Sequence, residues 1–242
     1  MSIIKRGVST ALHGVYFMKI FLVRHGETTY NRETRFQGQQ DAPLTPNGKS
    51  QAGAVADRFE KAEKAGEHFD AIYSSPLSRC LDTADAIGTK LNLKPVTEPG
   101  LKEMKMGEWE NKTPVEVEKQ YRTAEGKPLI SEWMKDPVSN KIPGGETVDD
   151  VEKRVFSTLD RIIKENRQDA NVVLVTHGGP ISVILCKVLD QSLKEANRTH
   201  IANTSVTVLD VKKDLSDVKI LADNDTSHME AYIATLPNVR AY

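Results

Sequence analysis

Two histidines in this chain stand where apolar runs break off. Ile20-Phe21-Leu22-Val23 gives way to Arg24-His25-Gly26-Glu27, and Val172-Val173-Leu174-Val175-Thr176 gives way to His177-Gly178-Gly179-Pro180. A third run, Phe69 to Tyr73, ends in Ser74-Ser75-Pro76-Leu77-Ser78-Arg79. Histidine is the side chain whose ordinary pKa suits it to act as nucleophile or proton carrier near neutrality. Arginine offers a planar fork of donors that matches phosphoryl oxygens. Gly178 and Gly179 bare backbone N–H groups at a helix start, a natural anion cradle. If the three runs are parallel neighbouring strands, Arg24, His25, Arg79 and His177 meet at one carboxyl edge, where open α/β sheets bind ligands. A histidine between two arginines is poised for phosphoryl transfer. The cationic surroundings are expected to hold its ring neutral by disfavouring protonation.

The elements that must position these groups are read from local pattern. The three apolar runs are short buried strands, and Gly26 lets the first one turn sharply. Tyr30 to Gly38 is polar and reads as a loop. Thr45 and Pro46 suit the N-cap and first position of a helix whose apolar positions are Ala52, Val55, Ala56, Phe59 and Ala62, with Gly66 placed to end it. Ser75 and Pro76 suit the same two positions in the next helix, which carries Leu77, Cys80, Leu81, Ala84 and Ile87. Arg79 falls in its first turn, where the helix dipole disfavours a cation. An anion beside that helix start would explain it; so would an arginine paired with Asp82 or simply solvated.

Leu93 to Thr97 reads as a short strand, and Pro114 to Tyr121 as a helix. The rest of 111–142 is polar and shows no clear pattern; Trp133 and Met134 there read as local packing. Thr147 caps a long helix with Val148, Val151, Val155, Leu159 and Ile162 inward. Pro180 suits the first turn of another, with Ile181, Ile184, Leu185 and Val188 inward. Ser205 to Val211 and Val218 to Leu221 are expected to pair as a hairpin at the sheet edge.

Composition narrows the partners. The 242 residues are 38% hydrophobic and 28% charged, with a formal net charge of −1, an ordinary globular balance. No global basic field points to nucleic acid or to a membrane surface, so a bound anion must be held by local arginines. No apolar run approaches the roughly 20 residues of a membrane span. Cys80 and Cys186 lack short metal-ligand spacing and read as reduced core residues of a cytoplasmic protein. Residues 1–17 carry Lys5 and Arg6 and no acidic residue. They read as a flexible extension rather than a targeting segment, residues 18–242 as one domain, and the end after Pro237 as loose.

Arg24-His25-Gly26-Glu27, the Ser74-Ser75-Pro76 segment with Arg79, Leu101 to Glu110, Pro143-Gly144-Gly145-Glu146-Thr147 and His177-Gly178 together resemble, in order, the motifs of the histidine phosphatase superfamily, which includes the cofactor-dependent phosphoglycerate mutases. Asn224 to Met229 resembles a C-terminal segment of that family. The resemblance covers nearly all the chain from Met18 onward, weakest over 111–142, and departs from the family where Asn111 replaces a usual glycine.

It implies an α/β fold, a three-layer α/β/α sandwich with a mostly parallel central sheet. It implies His25 as nucleophile forming a phosphohistidine, with Arg24, Arg79, His177 and the Gly178 amide holding the phosphoryl oxygens. Glu103 matches the catalytic acid, with Glu108 and Glu110 as nearby competitors. Asn31, Arg35, Gln37 and Gly38 are expected to contact the phosphate or the substrate beyond it. No metal and no cofactor is called for; the partner is a small-molecule phosphomonoester, and the chain is expected to be a monomer or homodimer. The phosphatase branch is favoured over the mutases, whose second histidine is typically followed by Gly-Asn-Ser. A catalytically idle binding protein on the same fold, and a metallohydrolase using both histidines, are the other readings; the second lacks the carboxylate and histidine cluster it would need.

Overall fold

The structure, a computed structural model, describes residues 17–212 and 214–230. The expected extension at 1–17, except for its last residue, and the loose end after Pro237 lie outside the described residues. Strand β1 (Met18–Arg24) is followed by a one-turn helix α1 (Thr29–Arg32) and the long α2 (Pro46–Lys64). Next come β2 (Ala71–Ser74), α3 (Ser78–Leu91) and the two-residue β3 (Val96–Thr97). Two 3-10 turns (Pro99–Leu101 and Gly107–Trp109) and the helices α4 (Pro114–Gln120) and α5 (Leu129–Lys135) lead to α6 (Val148–Glu165). Then follow β4 (Asn171–Thr176), α7 (Gly178–Val188), a 3-10 turn (Leu193–Glu195), β5 (Val206–Val211) and β6 (Val218–Asp225).

The six strands form one sheet in the order β3-β2-β4-β1-β5-β6. β1, β2, β3 and β4 are mutually parallel, and β5 and β6 run antiparallel as the expected hairpin at one edge. Side chains on a strand alternate between faces. Ile20, Leu22, Val172 and Leu174 therefore pack on one face, against Val148, Val151, Val155, Leu159 and Ile162 of α6 and Ile181, Ile184 and Leu185 of α7. Phe21, Val23, Val173 and Val175 pack on the other, against Val55, Ala56 and Phe59 of α2 and Cys80, Ala84 and Ile87 of α3. Three layers result, as the resemblance implied. The five buried aliphatic residues of α6 each contribute roughly 1.5–3 kcal/mol of burial.

Register brings the strand ends level. Val23 pairs with Val175 and Arg24 with Thr176, while Ser74 pairs with Val175 from the other side. The next residues out are His25, Ser75 and His177. The neighbours β1 and β4 send their following long helices, α2 and α7, to opposite faces, so a crevice opens between their carboxyl ends. Two glycines let α2 close on the turn after β1: a Cβ on Gly48 would lie 2.0 Å from the Glu27 carbonyl oxygen, and one on Gly26 2.5 Å from the Gly48 oxygen.

Caps read from sequence hold at Thr45, whose hydroxyl accepts from the Gly48 amide, and at Thr147, which forms a capping box with Asp150. Two expectations need correction, and one unread stretch takes shape. The polar segment after β1 opens with helix α1, because Thr28 and Asn31 form a capping box around it. Helix α3 begins two residues later than expected: Leu77 is its N-cap, and the Ser75 hydroxyl is turned instead to His177 at 2.8 Å. Residues 129–135, unread in the sequence, are helical, and Trp133 anchors them by packing edge-on against Trp109 at 5.6 Å. Asn111, where a glycine was expected, adopts φ +63°, so the left-handed turn survives the change. Among the described residues no helix is long and apolar enough to cross a membrane.

Candidate active site

His25 leaves β1 fully buried, its backbone N–H bonded to the Thr176 carbonyl at 3.1 Å. Its ring packs edge-on against the His177 ring, with centroids 5.1 Å apart. Nδ1 lies 2.7 Å from the Gly26 carbonyl oxygen. A carbonyl only accepts, so Nδ1 carries the proton. Burial first, then Arg79 and Arg24, push the His25 pKa well below the ordinary value. The ring is therefore neutral and the lone pair sits on Nε2, the state a histidine nucleophile needs. The sequence reading credited the arginines alone with this; desolvation leads.

His177 is held from the other side. Arg79 Nε donates to its Nδ1 at 3.3 Å, so Nε2 carries the proton and donates to Ser75 Oγ at 2.8 Å. Burial, followed by Arg79, lowers its pKa as well. The Cys80 thiol lies 3.4 Å from His177 Nε2, and burial raises the thiol pKa far above its usual range, so it stays an inert neutral wall.

Both neutral histidines carry a cost that grows in acid. In the unfolded chain each titrates near pH 6.5; folded, each resists protonation to much lower pH. Below about pH 6.5 the unfolded state binds more protons, so stability falls as pH drops, by up to about 1.4 kcal/mol per pH unit for each histidine. Denaturant titrations at pH 7.5 and 5.5 are expected to show this loss, with His177→Asn flattening it. An unchanged slope in that variant would refute the assignment.

Arg79 is fully buried and spreads its fork, with Nη1 to the Gln40 carbonyl and Nη2 to the Gly38 carbonyl, both at 2.8 Å. Its hydrogen bonds go to these carbonyls and to His177, so neither the Asp82 pairing nor solvation describes it. Gly38 presents that carbonyl at φ +52°, and a Cβ there would lie 2.2 Å from Glu110 Oε1. Arg24 donates through Nη1 to the Ile201 carbonyl, while its buried Nε has no acceptor among the described residues. A buried guanidinium N–H without a partner marks a place for an anion.

Arg24 and Gly178, the neighbours of the two histidines, line a cleft of about 480 Å³. Glu103, Asn31, Arg35, Gln37 and Gly38 line it too, so it collects every expected substrate contact. Glu103 Oε1 accepts from the Met104 amide at 2.8 Å, and Oε2 from the Gly179 amide at 3.4 Å. Neither Glu108 nor Glu110 lines the cleft. Glu108 is exposed, and Glu110 spends its carboxylate on the amides of Gln39 and Met106 and on the Gln40 side chain. Arg35 is committed to Glu33, Glu116 and the Asn111 carbonyl, and Gln37 Oε1 accepts from the Thr28 hydroxyl. Met106, Trp133, Met134, Val148, Val151 and Val183 make the far wall apolar, so Trp133 both packs and faces the cleft. Among the described residues no cluster of three or more His, Cys, Asp or Glu is arranged to hold a metal ion.

Sequence reasoning missed Ser75 as a His177 partner and Asn203, whose Nδ2 donates to the His25 carbonyl at 2.9 Å. Ser75 stood inside a recognised segment, where its hydroxyl was assigned to a cap. Asn203 had no local signal, because its partner is brought to it only by the pairing of β5 with β1.

Comparisons with known proteins agree with this fold. Residues 20–224 match the model of the histidine phosphatase superfamily (branch 1). The chain is 32% identical over 203 residues to "Putative phosphoserine phosphatase 2" of Hydrogenobacter thermophilus, covering 84% of this chain and 94% of that one. It is 31% identical over 216 residues to "Probable phosphoglycerate mutase GpmB" of Yersinia enterocolitica, covering 88% and 95%. Among solved structures it is similar to the phosphoserine phosphatase of Entamoeba histolytica in complex with 3-phosphoglyceric acid, with TM-score 0.74 and 28% identity over 88% of this chain and 100% of that one. With two neutral histidines beside the buried Arg79 and the half-buried Arg24, and with residues 20–224 matching its model, the chain belongs to the histidine phosphatase superfamily, branch 1.

Proposed function

We propose that this protein hydrolyses phosphomonoesters through a phosphohistidine intermediate. The observation that carries the reading is the bond from His25 Nδ1 to the Gly26 carbonyl, which leaves Nε2 as the free lone pair beside Arg24, Arg79 and His177. Nε2 attacks phosphorus in line as the bond to the leaving oxygen breaks, and Glu103 in its acid form gives that oxygen a proton. Water then attacks the phosphohistidine, Glu103 takes its proton, and phosphate departs with Nε2 restored. Arg24, Arg79 and the Gly178 amide stabilise the charge spread over the equatorial oxygens, and His177, held between Arg79 and Ser75, packs beside the nucleophile. These guanidinium groups supply positive charge of the kind a divalent cation supplies elsewhere.

The apolar far wall and the committed Arg35 favour an ester whose alcohol carries apolar surface. The test is phosphate release from a panel comprising 1-naphthyl phosphate, 4-nitrophenyl phosphate, phosphoserine and 3-phosphoglycerate, with chelator present. Radiolabelled ester would be used to trap the enzyme intermediate. The expected result is chelator-resistant hydrolysis, led by the naphthyl ester, with an acid-labile, base-stable label on His25. No hydrolysis of any ester, or a label elsewhere, would sink the reading. The likeness to a probable phosphoglycerate mutase motivates one further arm, 3-phosphoglycerate with bisphosphoglycerate primer. The Gly178-Gly179-Pro180 segment, in place of the Gly-Asn-Ser typical of mutases, argues for slow interconversion there relative to hydrolysis.

A further inference from the structure

Glu103 sits on residues 102–106, a stretch without regular structure between two 3-10 turns. A carboxyl that gives and retakes a proton has to be held to within a fraction of an ångström. A bare loop does not supply that. Arg154 of α6, which does not line the cleft, reaches this loop and uses all five of its N–H donors. Nη1 donates to the carbonyls of Gly100 at 2.8 Å and Lys102 at 2.6 Å. Nη2 donates to the Glu103 carbonyl and to Glu146 Oε2, both at 3.0 Å, and Nε donates to Glu146 Oε1 at 2.9 Å. Glu146 closes the frame, since its Oε2 also accepts from the Lys105 amide at 2.8 Å and its own N–H donates to the Lys105 carbonyl at 2.9 Å. Gln39 adds a bond to the Glu103 carbonyl at 3.1 Å.

We propose that Arg154, locked by Glu146, is the positioning residue for the Glu103 carboxyl, fixing the 100–105 backbone so that the proton is delivered to the leaving oxygen. The proposal rests on the assignment of Glu103 as the acid. A planar, five-donor guanidinium bound to the carbonyls of Gly100, Lys102 and Glu103 and to one bidentate carboxylate sets both height and angle of the loop, which a point charge would not. An arginine serving stability alone would weaken the fold without caring which ester is cleaved. Proton delivery does care: an alkoxide leaves poorly without a proton, whereas 4-nitrophenolate leaves without one.

The test is single-turnover transfer of the phosphoryl group to His25, with enzyme in excess, from 4-nitrophenyl phosphate and from the better of phosphoserine and 3-phosphoglycerate. Arg154→Met is expected to slow transfer from the alkyl ester about 100-fold and from the aryl ester less than about threefold, with Arg154→Lys between it and wild type. Equal loss on both esters, or loss on neither, overturns the proposal. Glu103→Gln runs alongside. If it lacks the selective loss, the acid assignment itself fails; if it shows that loss and the Arg154 variants do not, only the positioning role falls. Should Arg154→Met not fold, as judged by circular dichroism, Glu146→Gln gives the same decision: a selective loss supports the clamp and an ester-independent one overturns it.

Discussion

Alanine in place of His25 is expected to abolish turnover, by about 10⁴-fold or more on every ester the wild type cleaves. His200 also lines the cleft but is exposed, whereas the His25 ring is buried beside Arg24 and Arg79. His177 has Nδ1 occupied by Arg79 and its Nε2 proton given to Ser75, and the Cys80 thiol is buried and protonated. The loss should fall on chemistry more than on binding. Arg24, Arg79 and the Gly178 amide stay in place, so orthophosphate is still expected to raise the melting temperature of the variant. The fold should tolerate the change, because the ring makes a single hydrogen bond, to the adjacent Gly26 carbonyl. Steady-state phosphate release, with circular dichroism as a control for folding, is the measurement. Activity retained to within about tenfold would remove His25 from the nucleophile's role.

The second large effect belongs to Arg79. Arg79→Lys keeps a positive charge but is expected to lower kcat by about 10²- to 10³-fold, the size seen when one preorganised donor to developing charge is removed. The reason is geometric. The fully buried guanidinium donates to the Gly38 and Gln40 carbonyls and to His177 Nδ1, so it fixes the His177 tautomer as well as an oxygen site. An ammonium cannot span those three directions in one plane. Leaving the buried Gly38 carbonyl short of a donor should also cost about 1–3 kcal/mol of stability. Loss of stability with kcat intact would show Arg79 to be a structural strut only. The measurement pairs denaturant unfolding with kcat on 4-nitrophenyl phosphate.

Both effects turn on residues that the sequence had already marked, and the reason they were visible is local. An apolar run that stops at a charged residue reports a strand end wherever the strand lies. Thr45 and Thr147 were legible as caps because a hydroxyl three residues before a free amide needs no distant partner. The spacing of Val148, Val151, Val155, Leu159 and Ile162 showed α6 for the same reason, since one face of a helix repeats within the helix itself. Ser75 was read wrongly by that same logic: its local chemistry fits a cap, but a histidine 102 residues away claims its hydroxyl.

What the sequence marked by itself was therefore the strands and the long helices, with candidate residues at and beyond their ends: Arg24 and His25, Arg79, Glu103, His177. What only the tertiary structure decided was that these ends meet. That β4 lies between β1 and β2, in a register that levels Arg24 with Thr176, is set by hydrogen bonds between strands far apart in the chain. That Glu103, and neither Glu108 nor Glu110, lines the cleft and meets the Gly179 amide is set by packing between segments far apart in the chain. The Arg154 clamp joins residues some fifty positions apart, and nothing near Arg154 in the chain announces the Lys102 and Glu103 carbonyls. Local free energies are written in neighbouring residues, whereas pairing and burial are shared among distant ones, so the second kind of information appears only once the chain has folded.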